Sequence, residues 1–308
     1  MKISIIGAGA MGVMYGGLLA DSGQQVTLID IRRDVIDTIN RNGLHIDGAS
    51  GNRHVKVAAV LADDATGPAD VVIVQAHTDG TDDAAQCAAR LLTKSGYAVT
   101  LQNGIGNVEA LVDALGPKRV LGGISYNSVT TTGPGRVKHT NPGPTWIGEL
   151  DGSHTDRVQA LGESFSQAGM ETKISDNIIG VIWNKFIVSC AIHPISALSG
   201  LMSDEIANVP AATELQDKLL EEILAVVRAK GVTLADEDPV CKIKNISTAT
   251  PVKPSMLQHI DQGRPTEVDS QNGALLREAE KCGISVPYNQ ALTYMIKARS
   301  ASQSMQGR

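Results

Sequence analysis

Short apolar runs alternate with glycine-containing breaks and helical patterns along the first half of the chain. Runs of this kind occupy residues 3–6, 26–29, 70–74, 98–101 and 120–124. Runs in which most consecutive side chains are apolar are typical of parallel strands that helices cover on both sides. The alternation therefore predicts an α/β fold, with a Rossmann-like, doubly wound sheet in the N-terminal part of the chain.

Glycine marks the ends of the first two predicted helices. One helical pattern extends to about residue 22 and is followed by Gly23, and a second covers residues 34–42 and is followed by Gly43. Glycine directly after the last periodic residue is a common helix end signal. Further along, residues 133–139 and 144–149 predict two strands joined by a polar turn. We expect them to close the sheet as antiparallel edge strands.

The chain after residue 175 has almost only helical patterns. Helices are predicted over residues 177–191, 211–230 and 255–281, because their apolar positions recur with helical spacing. This change of pattern places a domain boundary near residue 175. We expect a dinucleotide-binding domain over residues 1–175 and an all-α domain for substrate and catalysis over residues 176–308.

Composition limits the classes of function. The 308 residues are enough for about two domains. The 27 Lys and Arg residues are outnumbered by 33 Asp and Glu residues, and only 3% of residues are aromatic, so we expect no nucleic-acid partner. The seven histidines are not spaced as metal ligands, so we expect no metal site. The four cysteines are scattered, which is typical of reduced thiols in a cytoplasmic protein.

Two uncharged stretches resemble membrane segments by length alone. Residues 3–20 contain five glycines, which the hydrophobic core of a signal peptide would not favour, and residues 186–203 contain several Ser and Gly residues and a His-Pro pair. We interpret the second stretch as the end of a buried helix. The expected protein therefore has no membrane partner and is cytoplasmic.

A glycine fingerprint lies between the first predicted strand and helix. Its GxGxxG pattern indicates a turn that approaches a pyrophosphate, which the N-terminus of the following helix then binds. An acidic residue, Asp30, follows at the end of the next strand, as this motif requires. The motif consists of Gly7, Ala8, Gly9, Ala10, Met11 and Gly12. We expect these residues to bind a nicotinamide dinucleotide.

The residues after the second strand bear on the choice of cofactor. The carboxylate of Asp30 favours NAD, because it accepts hydrogen bonds from a ribose hydroxyl and repels a 2′-phosphate. Arg32 and Arg33 follow at once and favour NADP in the alternative interpretation, since they would pair with that phosphate. NAD is the preferred prediction, and NADP remains open.

Polar residues at a strand end and within an apolar helix are candidates for the reaction itself. Asn103 follows a predicted strand at the end where ligands of α/β sheets bind, although an Asn-Gly turn residue is the alternative. Lys185 lies in an apolar helix, with Ser189 and His193 on the same stripe. A buried lysine has a lowered pKa and is a plausible proton donor. The structural alternative for His193 is a histidine that caps the helix end before Pro194.

Two further candidates lie near the C-terminus. Glu267 is a possible partner of the lysine, and Ser255 precedes it by 12 positions. Composition alone favours a solvated helix face for Glu267.

Several motifs together resemble the ketopantoate reductase (2-dehydropantoate 2-reductase) family, and the resemblance covers essentially the whole chain. It rests on the glycine fingerprint and on LQNG at 101–104, GPGRV at 133–137, WNKF at 183–186, PSMLQ at 254–258 and GRPTEVDSQNG at 263–273. The last two motifs, in that order and separation, are specific to the family.

The resemblance implies a function and roles for individual residues. It implies an N-terminal Rossmann domain and a helical C-terminal domain with the active site between them, and reduction of a small 2-oxo acid, ketopantoate, in pantothenate biosynthesis. Lys185 would be the general acid and Glu267 would orient it or the substrate. Ser255 would bind a substrate oxygen, and Asn103 would contact both nicotinamide and substrate. A homodimer remains open.

This chain departs from the family pattern at three places. The family commonly has Asn at the positions of Ser189 and His193, which would line the substrate, and often Lys at Gln75, which we assign to cofactor binding. Asp30 and Arg32 replace the usual basic residue for an adenosine phosphate. Two alternatives therefore stay open: a relative acting on another hydroxy acid or ketone, and a non-catalytic dinucleotide sensor.

Overall fold

The computed structural model describes residues 1–248 and 251–306. The chain forms two compact units, Met1–Ile178 and Ile179–Arg308. The first unit contains, in chain order, β1 (Lys2–Ile6), α1 (Ala10–Asp21), β2 (Gln25–Asp30), α2 (Arg33–Asn42), β3 (Leu44–Gly48), β4 (Arg53–Val55), β5 (Ala58–Leu61), β6 (Ala69–Val74), α3 (Thr81–Leu91), β7 (Leu92–Thr100), α4 (Asn107–Leu115), β8 (Val120–Ser125), β9 (Ser128–Gly133), β10 (Arg136–Asn141), β11 (Thr145–Glu149), α5 (Asp156–Gln167) and β12 (Thr172–Ile174).

An eight-stranded sheet forms the centre of the first unit. Its order is β12-β11-β8-β7-β6-β1-β2-β5. The strands from β8 to β5 in this order are parallel, whereas β11 pairs antiparallel with β8. The apolar runs of the sequence lie in the middle of this sheet, and residues 71–74 are fully buried. The predicted doubly wound α/β fold is confirmed.

The strand prediction for residues 133–139 and 144–149 is wrong in its pairing. β9 and β10 form a hairpin within a separate four-stranded sheet of order β4-β3-β10-β9. The Gly-Pro-Gly segment that begins at Gly133 is the turn of this hairpin rather than the start of a strand. β11 does pair antiparallel with β8 in the large sheet. Its other edge pairs with β12, so β11 is not an edge strand.

Helix α1 packs against both sheets of the first unit. Eight of its 12 residues are buried, which explains why the sequence carries no charge between residues 3 and 20. The Tyr15 side chain is fully buried, with its ring 5.5 Å from the ring of Phe165. Its hydroxyl is hydrogen-bonded to the hydroxyl of Thr145 in β11. Burial raises the pKa of Tyr15, so the tyrosine stays neutral and contributes packing and one satisfied polar group.

The second unit consists of helices. After α6 (Ile178–Ser199), which starts at the last residue of the first unit, it contains α7 (Pro210–Lys230), α8 (Pro239–Ile246), α9 (Ser255–Asp261), α10 (Asn272–Cys282) and α11 (Pro287–Gln306). The buried carboxylate of Glu222 in α7 accepts hydrogen bonds from the first-turn backbone N–H groups of Tyr288 and Asn289. A carboxylate at a helix N-terminus satisfies unpaired N–H groups and stabilises the helix dipole.

Two of the three predicted C-terminal helices differ from the structure in extent. The single helix expected over residues 255–281 is two helices, α9 and α10, separated by a loop. Pro265 lies in that loop, and proline in a helix interior removes a hydrogen bond and clashes with the preceding turn. Helix α6 instead continues past Ala191 and through Pro194 to Ser199.

Helix α6 is long and apolar enough to cross a membrane by composition alone. However, 78% of its most apolar window is buried inside the protein. The Trp183 and Phe186 rings lie edge to face at 5.3 Å, and both side chains are buried. This burial is what a core helix requires, and it agrees with the sequence interpretation of residues 186–203.

The turn after β1 generates a prediction about stability. A Cβ atom on Gly12 would lie 1.8 Å from the carbonyl oxygen of Gly7, whereas a Cβ on Gly9 would meet nothing within 4 Å. We expect Gly12→Ala to lower the free energy of unfolding by about 1–3 kcal/mol, the usual cost of overpacking. Gly9→Ala serves as the control and should unfold at the parent temperature. Equal melting temperatures for both variants in calorimetry would contradict the close packing of this turn.

Candidate active site

The glycine-rich turn joins β1 to α1 in the geometry that a dinucleotide requires. Gly7 has a φ of +105°, and its N–H donates to the Ile29 carbonyl at 2.7 Å. A Cβ on Gly7 would lie 2.5 Å from the Gln75 carbonyl oxygen, so only glycine fits the turn. Gly9 is the N-cap of α1 and has no side-chain cap. The open space beside Gly9 and the uncapped helix N-terminus fit a pyrophosphate.

Asp30 has a role in the turn that the sequence did not reveal. Its Oδ2 accepts a hydrogen bond from the Ala8 N–H at 2.8 Å, and its Oδ1 accepts from the Arg32 N–H at 2.9 Å. The Arg32 Nε is 3.4 Å from the same Oδ1, and the Asp30 side chain is only 10% exposed. Asp30 therefore fixes the glycine turn, and its charge is partly balanced by Arg32.

Gln75 and Asn103 follow neighbouring parallel strands, β6 and β7. The Gln75 N–H donates to the Ile6 carbonyl at 2.8 Å, which places this residue beside the glycine turn. Its Nε2 is buried and has no hydrogen-bond partner among the described residues. The Gln75 amide can therefore donate a hydrogen bond to a ligand at this edge of the sheet. Asn103 is exposed. Both positions fit the ligand edge of an α/β sheet.

A buried polar network supports Asn103, and sequence reasoning missed it. Gln102 Nε2 donates to the Ala76 carbonyl and to the Thr81 hydroxyl, both at 2.9 Å. The Thr81 hydroxyl donates to Asn107 Oδ1 at 3.0 Å, and Asn107 Nδ2 donates to the Asn103 carbonyl at 3.1 Å. Satisfied buried networks of this kind hold one arrangement of the backbone. The one signal in the sequence is the polar Gln102 at the end of an apolar strand.

Lys185 has the altered acidity that its place in an apolar helix predicts. Burial lowers its pKa from 10.5 to about 8, and the charge of Glu267 acts in the opposite direction. A lysine with such a pKa gives up its proton near neutral pH. Lys185 is partly exposed, and Ser189, one turn further along α6, is buried. The helix continues beyond His193, so the alternative that this histidine caps a helix end is wrong.

Glu267 lies in the loop between α9 and α10, so the interpretation as a solvated helix face is wrong. Gln271 Nε2 donates to Glu267 Oε2 at 3.1 Å, and Gln271 Oε1 is 3.0 Å from His193 Nδ1. The structure thus brings Glu267 and His193 together through Gln271, a residue that sequence reasoning missed. The signal in the sequence that could have identified Gln271 is its position four residues after Glu267.

Ser255 is the first residue of α9 and is partly exposed. The next turn of α9 carries His259, whose charge lowers the pKa of His193. Within residues 1–248 and 251–306, no three His, Cys, Asp or Glu side chains are close enough to share a metal ion.

Family models match both units of the chain. The model described as ketopantoate reductase PanE/ApbA matches residues 3–152, and the model of the C-terminal part of the same family matches residues 177–300. Together they account for most of the sequence. They include the glycine turn in the first match and Lys185 and Glu267 in the second.

Individual relatives agree with the family models. A 2-dehydropantoate 2-reductase from Pyrococcus horikoshii is 33% identical, with 98% of each chain covered. The crystal structure of a PanE/ApbA family ketopantoate reductase from Ralstonia eutropha JMP134 has a TM-score of 0.88 at 32% identity, covering 99% of this chain and 100% of that one. A D-mandelate dehydrogenase with NADH and anilino(oxo)acetate also has a TM-score of 0.88, at 26% identity and with 99% and 100% covered.

These similarities confirm the resemblance that the sequence motifs indicated. They extend over both units, and the identity of 33% is spread over 301 residues. The glycine turn and the lysine with lowered pKa are consistent with an oxidoreductase. The chain belongs to the ketopantoate reductase family of oxidoreductases.

Proposed function

We propose that this protein reduces a 2-oxo acid with a nicotinamide cofactor, and that the substrate is ketopantoate (2-dehydropantoate), which becomes pantoate. The observation that carries the proposal is Lys185, an apolar-helix lysine with a pKa of about 8 beside the charge of Glu267. The names of the relatives, 2-dehydropantoate 2-reductases among them, support this substrate. Such a reaction places the protein in pantothenate biosynthesis, and we assign it to the cytoplasm.

The first unit has residues suited to hold the cofactor. The glycine turn and the N-terminus of α1, including Ala10 and Met11, would bind its pyrophosphate, and Asp30 and Arg32 would lie towards the adenosine ribose. Gln75 and Asn103 would face its nicotinamide end. When bound, the cofactor supplies a hydride to the keto carbon of the substrate.

The second unit has residues suited to handle the proton and the substrate. The Lys185 ammonium donates a proton to the substrate oxygen, so that the former carbonyl becomes a hydroxyl and the lysine becomes neutral. Glu267 stabilises the charged form of Lys185 before the transfer and orients it. Ser255 would bind a substrate oxygen, and Ser189 and His193 would line the substrate.

A second candidate function is oxidation or reduction of a different hydroxy acid or ketone. The similarity to D-mandelate dehydrogenase, with a TM-score of 0.88, favours this alternative over a non-catalytic sensor. The lysine with lowered pKa also weighs against a sensor, because dinucleotide binding alone does not need it. A screen of 2-oxo acids and hydroxy acids with both nicotinamides separates the candidates.

Removal of the proposed acid tests the assignment. We expect Lys185→Ala to lower kcat by about 10²–10⁴-fold, the usual contribution of a positioned general acid, with near-parental affinity for the reduced cofactor in a fluorescence titration. Lys218→Ala is the matched control, since Lys218 is an exposed lysine paired with Glu221. Parental turnover by the Lys185 variant would exclude it as the acid.

The pH profile tests the partnership of Lys185 and Glu267. Reduction needs protonated Lys185, so kcat/KM should fall as the pH rises above about 8, the pKa of this lysine. Because Glu267 raises that pKa, Glu267→Gln should move the fall to lower pH. Glu221→Gln, an exposed carboxylate beside Lys218, should leave the profile unchanged. A profile that is the same in the parent and in Glu267→Gln would contradict the partnership.

Cofactor preference tests the role of Asp30. We expect the parent to bind NADH more tightly than NADPH, because the Asp30 carboxylate would repel a 2′-phosphate. Asp30→Asn keeps one oxygen that can accept from Ala8 and removes the charge, so the difference between the two dissociation constants should narrow. Arg32→Ala should weaken NADPH binding more than NADH binding. Tighter binding of NADPH by the parent in a fluorescence titration would overturn the preference.

A further inference from the structure

A chain of hydrogen bonds in the second unit links Glu267 to His193 through one buried amide. Gln271 is only 2% exposed. It donates from Nε2 to Glu267 Oε2 at 3.1 Å, and its Oε1 is 3.0 Å from His193 Nδ1. The three residues come from α6 and from the loop before α10, so the contact between His193 and Gln271 spans 78 positions of sequence. The Gln271 side chain is therefore hydrogen-bonded to both Glu267 and His193.

The chemistry of the three groups fixes the direction of every bond. An ionised carboxylate only accepts hydrogen bonds, so the amide NH₂ of Gln271 must face Glu267. The amide oxygen then faces His193, and it too only accepts. His193 must consequently carry a hydrogen on Nδ1 and donate it to Gln271.

His193 is neutral in this arrangement. Burial lowers its pKa, and the charges of Lys185 and His259 lower it too, whereas Glu267 and the bond to Gln271 act in the opposite direction. A neutral imidazole has a hydrogen on one ring nitrogen only. With Nδ1 protonated, Nε2 carries a lone pair. His193 is partly exposed, and within the described part of the chain its Nε2 has no hydrogen-bond partner.

We propose that Gln271 is a positioning residue that holds His193 in the Nδ1–H tautomer, so that Nε2 accepts a hydrogen bond from a hydroxyl of the substrate. The preference for a hydroxylated substrate rests on the proposed function, whereas the tautomer does not. Ketopantoate carries a hydroxyl beyond its keto group, and 3,3-dimethyl-2-oxobutanoate is the same acid without that oxygen. The pair of acids therefore isolates the hydroxyl.

Nitrogen NMR of the ligand-free protein tests the tautomer. With ¹⁵N-labelled histidine, and with His193→Asn to assign the signals, the parent should show a protonated Nδ1 and an unprotonated Nε2 for His193 above its pKa. Gln271→Met keeps the volume of the side chain and removes both bonds, so His193 should then populate the Nε2–H tautomer. Gln216→Met is the matched control, because Gln216 is a buried glutamine bonded to Ser247, and it should leave the His193 signals unchanged.

A second variant keeps the test decisive if Gln271→Met does not fold. Glu267→Gln replaces the carboxylate with an amide that can both donate and accept, so Gln271 is free to turn over and the tautomer preference should weaken. A parent in which His193 has its hydrogen on Nε2, or variants with the parental tautomer, would overturn the role of Gln271.

Kinetics with the two acids tests the substrate preference. The ratio of kcat/KM for ketopantoate to that for 3,3-dimethyl-2-oxobutanoate should fall about tenfold in Gln271→Met, the worth of one neutral hydrogen bond, and stay at the parental value in Gln216→Met. A changed tautomer with an unchanged ratio would overturn the contact between His193 and the hydroxyl. A parent that reduces neither acid would overturn the proposed function, and the NMR result would still decide the role of Gln271.

Discussion

Desolvation of the Lys185 ammonium, which lies in the apolar helix α6, sets a free-energy cost that its neighbours must offset. The fall of its pKa from 10.5 to about 8 corresponds to about 3 kcal/mol between the charged and neutral forms. Glu267 reduces this cost, and Gln271 holds Glu267 in turn. The result is a lysine that is still mostly protonated near neutral pH but gives up its proton easily, which a reductase needs at the substrate oxygen.

In the first unit, a carboxylate stabilises the glycine turn after β1. The turn after β1 has no room for a side chain at Gly7 or Gly12, because a Cβ atom at either position would clash with the backbone. With so few side chains of its own, the turn needs contacts from other parts of the chain to hold its conformation. Asp30 provides this by accepting the Ala8 N–H at 2.8 Å. In both units a carboxylate distant in sequence acts on the group that we assign to the chemistry, Asp30 through a hydrogen bond to the turn and Glu267 through its charge on Lys185.

Much of this fold follows from the sequence pattern because its central strands are mostly apolar and its main helices have apolar positions at helical spacing. The central strands are buried on both faces, so their runs are unmistakable. The small sheet was missed because β3 and β4 are short and carry polar residues such as His45 and Arg53. The loop after α9 was missed because the helical spacing continues on both sides of Pro265.

The candidate residues were found more readily than their connections. Lys185, Ser189 and His193 share one helix stripe, which local spacing reveals. The roles of Asp30 and Gln271 depend on partners 22 and 78 positions away, and no local pattern encodes such pairs. Glu267 and Ser255 were candidates by position alone, and only the resemblance to a family gave them roles; the structure places the charge of Glu267 near enough to Lys185 to raise its pKa.

The most direct test of the account is a titration of the Lys185 side chain itself. With ¹³C-labelled lysine and Lys185→Ala to assign its signal, NMR should show Lys185 losing its proton near pH 8, while exposed lysines titrate near their usual value of about 10.4. A Lys185 signal that titrates together with the exposed lysines would contradict the central claim, because the ammonium would then be neither buried nor suited to act as the acid.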